Sequence, residues 1–99
     1  MVRKVGVVSA ALQKKGMEPR EGDHHIMFSK KVGGVTTLIT RISRSHNEIS
    51  NRNAGKMANQ CALQLREFWS LVDCTLSEEQ WDQLIRQRCA GGRNPFIFR

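Results

Sequence analysis

Val5, Val8 and Leu12 fall at i, i+3 and i+7, the spacing that lines apolar side chains along one helical stripe. Lys14 and Lys15 follow where the helix dipole is negative, and Gly16 supplies a left-handed stop. A first helix is therefore predicted over about residues 3–15. The period then changes. Residues 17–20 can be extended but include Pro19, which suits only the edge of a sheet. Glu21-Gly22-Asp23 is turn chemistry. Residues 24–31 read as a strand, Val32-Gly33-Gly34 can close a hairpin, and residues 35–42 are rich in β-branched side chains. Neither strand alternates cleanly, so the pattern does not say which face is buried.

Residues 43–53 are polar, lack a period and read as a loop. Ala54, Met57, Ala58, Cys61 and Ala62 then form a helical stripe of mostly small side chains, suited to close packing on a sheet. Leu65, Phe68, Trp69 and Val72 form the next stripe. Ser77-Glu78-Glu79-Gln80 matches a capping box, and it precedes a face of Trp81, Leu84, Ile85 and Arg88 with Gly91 and Gly92 as its stop. The order is a helix, a three-stranded antiparallel sheet, then two or three helices, which makes an α+β domain. Residues 1–92 read as one domain with a helical extension from about residue 65, and residues 93–99 as a basic tail.

Charge narrows the function. Sixteen Lys and Arg against nine Asp and Glu leave +7 on 99 residues. Such a surface attracts polyanions, of which RNA is the most abundant in a cell and an anionic membrane the competitor. No apolar run approaches the roughly 20 residues of a membrane span. The stretch after Arg3 and Lys4 is too short and too weakly apolar for a signal peptide, so a cytoplasmic, non-membrane protein is expected. Cys61, Cys74 and Cys89 match no zinc spacing and read as reduced, mostly buried residues. Trp69 and Trp81 lie on helical stripes and read as core. No metal or other cofactor is expected.

The informative segment is Gly22-Asp23-His24-His25-Ile26-Met27-Phe28, a turn that presents histidine at the start of a strand. Imidazole titrates near neutrality and can take or give the proton that cleavage at an RNA 2′-hydroxyl requires. Lys30, Arg41, Arg44 and Arg52 are the cations available to stabilise charge on the phosphate. His46 is a further candidate acid. Adjacent strand residues point to opposite faces, so His24 and His25 are not expected to share a metal ion.

Leu12-Gln13-Lys14-Lys15-Gly16, Gly22-Asp23-His24, Thr40-Arg41-Ile42-Ser43-Arg44, the segment Phe68-Trp69-Ser70-Leu71-Val72-Asp73-Cys74 and Leu76-Ser77-Glu78-Glu79 together resemble HicA-family messenger-RNA interferase toxins. The likeness is to a longer branch with a helical extension, and it spans roughly residues 8–87. It implies a fold like a double-stranded-RNA-binding domain, catalysis by His24, and neutralisation by a HicB-like antitoxin. Relatives place an aromatic three residues after the catalytic histidine. Here Met27 holds that place for His24, and Phe28 holds it for His25. The Gly-Asp-His turn favours His24, and His25 stays as the alternative. A non-catalytic RNA-binding module and a protein-interaction module remain the competing functions.

Overall fold

The computed structural model describes residues 3–32, 36–43, 47–89 and 94–96. A short strand β1 (Arg3–Lys4) runs straight into helix α1 (Val5–Lys14). Strands β2 (Glu18–Glu21), β3 (His25–Val32) and β4 (Thr36–Ser43) form one antiparallel sheet in that order. β5 (Glu48–Ile49) pairs with β1, and helices α2 (Asn51–Gln60), α3 (Leu65–Val72) and α4 (Glu78–Arg88) follow. This is the expected α+β domain, with Pro19 on an edge strand. Arg41, Arg20 and the histidine turn are thereby gathered on the sheet, away from α4.

Two boundaries differ from those the pattern predicts. The first helix starts at Val5, because Arg3 and Lys4 pair with Ile49 and Glu48 across the chain. Arg3 is further held by Asp73, Nε to Oδ1 at 3.2 Å and Nη2 to Oδ2 at 3.0 Å. The stretch predicted as loop therefore contains a strand, too short to show a period. It also contains the start of α2, where the Ser50 hydroxyl accepts from the Asn53 amide.

The sheet's inner face is Phe28, Lys30 and Val32 on β3 with Leu38, Thr40 and Ile42 on β4. Val8 and Leu12 of α1, Ala54 and Ala58 of α2, and Phe68 and Leu71 of α3 are buried in the same core. The imperfect alternation now has a cause. Lys30 and Thr40 are polar residues facing inward, and Met27 and Ile39 are apolar residues facing outward.

Three helices stop by the same backbone device. Met17 N–H donates to the Leu12 carbonyl and Gly16 N–H to Gln13, with Gly16 at φ 92°. Leu63 to Ala58 and Ala62 to Asn59 repeat it after α2, and Thr75 to Ser70 and Cys74 to Leu71 after α3. This is the Schellman pattern. Ala62 and Cys74 adopt φ of 60° and 65° without being glycine, at a cost of roughly 1–2 kcal/mol each. Cys61 and Cys89 are buried, but Cys74 is exposed, which corrects the expectation that it packs. It occupies the left-handed position of a surface turn. Burial pushes the Cys61 thiol up to about 12.

Both tryptophans are core. Trp81 is fully buried and its indole N–H donates to the Cys61 carbonyl at 3.0 Å. Trp69 donates to Asn51 Oδ1 at 3.2 Å. The capping box of α4 is formed, Ser77 Oγ accepting from the Gln80 amide and Gln80 Oε1 from the Ser77 amide. At the other end of α4, Arg88 binds Glu67 through its two terminal guanidinium nitrogens at 2.8 and 2.9 Å and reaches the Ala62 carbonyl. The hydrogen bond from Arg88 holds the Glu67 carboxyl below its usual range. Part of the segment set off as a tail is docked: Asn94 is buried and donates to the Asn59 and Gln60 carbonyls, and Phe96 lies under the Arg88 guanidinium. Gly33, Gly34, Gly91 and Gly92 lie outside the described residues.

Candidate active site

The turn between β2 and β3 is closed by the Gly22 amide donating to the His25 carbonyl at 2.8 Å. A side chain at Gly22 would press on that carbonyl at 3.2 Å, so the tight turn favours glycine. His24 sits in the turn, one residue before the strand, with its side chain exposed. His25 is the first residue of β3, half-buried, and lies opposite Ser43 of β4.

His25 opens into a cleft of about 260 Å³ whose polar lining includes Arg41, Ser43, Glu48, Asn53, Lys56 and Gln60. That space is close to the lower end of ordinary ligand pockets, roughly 300 Å³, and suits a nucleotide-sized group. Asn53, Lys56 and Gln60 come from one stripe of α2, at i, i+3 and i+7. Gln60 Oε1 is engaged by the Thr40 hydroxyl at 2.6 Å, so its amide NH₂ is the group it offers the cleft. Arg41 and Lys56 supply positive charge, His25 a titratable ring, and Glu48 the carboxylate. A second, more apolar cleft shares Val5 and Ser43 with the first and adds Gly6, Val7 and Ile26.

The predicted residues thus separate. His25 and Arg41 are brought together, with His24 adjacent in the chain. Arg52 is exposed in the first turn of α2 and lines neither cleft. Arg44 and His46 lie outside the described residues. Glu48, Asn53, Lys56 and Gln60 went unrecognised in the sequence. Asn53 falls in the stretch predicted as loop, and nothing local says that Lys56 and Gln60 face the histidine strand.

Lys30 is a correction. Expected as a phosphate contact, its side chain is only 5% exposed, because β3 turns it toward α4. Its ammonium lies 2.8 Å from Glu78 Oε2 and 3.2 Å from Asp82 Oδ1, donates to the Lys15 carbonyl at 3.1 Å, and stands 5.2 Å from the centre of the Trp81 ring. Lys30→Met should lower stability by about 1.5–3 kcal/mol, the range for hydrogen bonds to charged groups. Glu78 and Asp82 remain partly solvated, which keeps the cost below that of a fully buried pair. Denaturant unfolding measures this. An unchanged midpoint with weakened RNA binding would return Lys30 to the RNA surface.

Among the described residues, no group of three or more His, Cys, Asp or Glu side chains is placed to hold a metal ion, and no helix is long and apolar enough to cross a membrane. The chain matches no family model, no curated protein and no solved structure.

Proposed function

We propose that this protein is a cytoplasmic, metal-independent endoribonuclease of the HicA toxin kind, cutting RNA with the histidine turn at the mouth of the cationic cleft. The observation that carries the reading is the convergence of His25, at the end of the histidine turn, with Arg41 and Lys56, drawn from a neighbouring strand and from α2. A histidine accepts the proton of a 2′-hydroxyl, and the freed oxygen attacks the adjacent phosphorus. The bond from phosphorus to the 5′-oxygen breaks as that oxygen takes up a proton, leaving a 2′,3′-cyclic phosphate and a 5′-hydroxyl. Arg41, Lys56 and the Gln60 amide are donors for the charge that builds on the phosphoryl oxygens.

His24 is the acid–base residue in this proposal, since the resemblance assigns it that role and its side chain is exposed in the turn next to His25. His25 and Arg41 hold the phosphate. A free enzyme of this kind endangers its own cell, so an acidic, HicB-like antitoxin is its proposed partner. Its carboxylates would face Arg41 and cover His24.

The test is cleavage of a labelled single-stranded RNA with and without EDTA. Cutting should persist in the chelator, yield cyclic-phosphate ends, and fail on an oligonucleotide whose 2′-oxygens are methylated. Activity that disappears with EDTA and returns with Mg²⁺ would reject the mechanism. No cleavage under either condition would leave an RNA-binding module as the better reading.

A further inference from the structure

The face of the three-stranded sheet turned away from the helices carries a pattern of which the cleft uses only Arg41. Directly opposed residues of an antiparallel ladder share a face. Arg20, Met27 and Arg41 therefore form one row across β2, β3 and β4, and all three are exposed. The row on the cleft side pairs His25 with Ser43. The row on the other side holds Glu18, Ser29 and Ile39, with Lys31 beyond it. Met27 and Ile39 are 41% and 48% exposed. An antiparallel sheet with one solvated face normally turns polar residues outward. Here Met27 and Ile39 are apolar residues on that face, beside Ser29, and Arg20, Arg41 and Lys31 outnumber Glu18 around them. None of Arg20, Lys31 and Arg41 is ion-paired to a described residue.

We infer that this open face is the track of a single-stranded RNA, which enters the cleft at the His25 end. The inference rests on the ribonuclease reading and names the form of its substrate. From His25 to Lys31 the strand runs on the order of 20 Å, and Arg20 and Arg41 stand two strand spacings apart, about 10 Å. A single strand can turn its bases onto Met27 and Ile39 while its phosphates meet Arg20, Arg41 and Lys31. A duplex keeps its bases stacked inside and offers only backbone and groove edges, which leaves Met27 and Ile39 against a polar surface. Continuity with the cleft favours RNA over an acidic protein as the occupant.

The test uses the full chain and a fluorescent single-stranded RNA with methylated 2′-oxygens, which binds without being cut, beside the same sequence as a duplex. Anisotropy should show the single strand bound at least about tenfold more tightly than the duplex. Arg20→Glu and Lys31→Glu lie outside both clefts and leave the histidines untouched. Each should weaken binding on the order of tenfold and flatten the log–log salt dependence by about 0.7 per lost contact. Arg86→Glu, exposed on α4, should change neither. Equal affinity for duplex, or full affinity in both sheet variants, overturns the inference. Cleavage that survives those variants but is lost in His24→Ala sinks the track and leaves the ribonuclease reading standing. Binding that depends on Arg20 in a protein that never cuts RNA does the reverse. No RNA affinity even at low salt rejects the track in favour of a protein occupant.

Discussion

His24→Ala should reduce RNA cleavage by about 10²- to 10⁴-fold, the usual contribution of a positioned acid or base, with circular dichroism and unfolding midpoint unchanged. The fold is spared because the imidazole is exposed in a turn whose closing hydrogen bond is between backbone groups of Gly22 and His25. His25→Ala should be milder and act mainly on substrate affinity, since this ring lines the cleft beside Arg41. The two variants therefore differ in kind: the first lowers kcat, the second raises KM. If His25→Ala is inactive while His24→Ala cuts normally, the chemistry belongs to the residue inside the cleft. Full activity in both variants, and in the double variant, would remove the histidine turn from the mechanism.

Trp81→Ala should be the most damaging core change. The ring is fully buried, donates to the Cys61 carbonyl, and lies beneath the Lys30 ammonium that ties β3 to α4. Truncating a buried Trp costs about 3–5 kcal/mol, against a total stability of roughly 5–15 kcal/mol for a domain. The variant should be marginal or unfolded at 37 °C. Trp81→Phe keeps most of the packing but leaves the Cys61 carbonyl without its donor, a loss of about 1–3 kcal/mol. Guanidinium unfolding followed by far-ultraviolet circular dichroism ranks the three proteins. A Trp81→Ala protein with the parental midpoint would mean that α4 is no part of the cooperative core.

These expectations draw on two levels of legibility. The helical stripes, the left-handed stop at Gly16, the edge position of Pro19 and the capping box at Ser77 were readable because each depends on side chains within a turn of one another. The turns at Ala62 and Cys74 use the same backbone device as Gly16. They carried no glycine to announce them, because the surrounding helices impose a conformation that those residues do not favour alone. Chemistry was legible to the same depth. The Gly-Asp-His turn was visible, as was an excess of cations, but not which cations share its space.

Local spacing along the chain determined the order of the helices and of the three-stranded sheet, the α+β class, the core tryptophans and the candidate histidines. Tertiary structure alone decided which polar residues are buried and which are exposed. Lys30 and Arg41 are both basic residues on adjacent strands, and nothing in their neighbours distinguishes them. The antiparallel register turns Lys30 toward Glu78 and Asp82, 48 and 52 positions away in the chain, and turns Arg41 outward beside Met27. Because side chains alternate between faces at every residue, one step of register decides whether a cation is a buried anchor or an exposed charge.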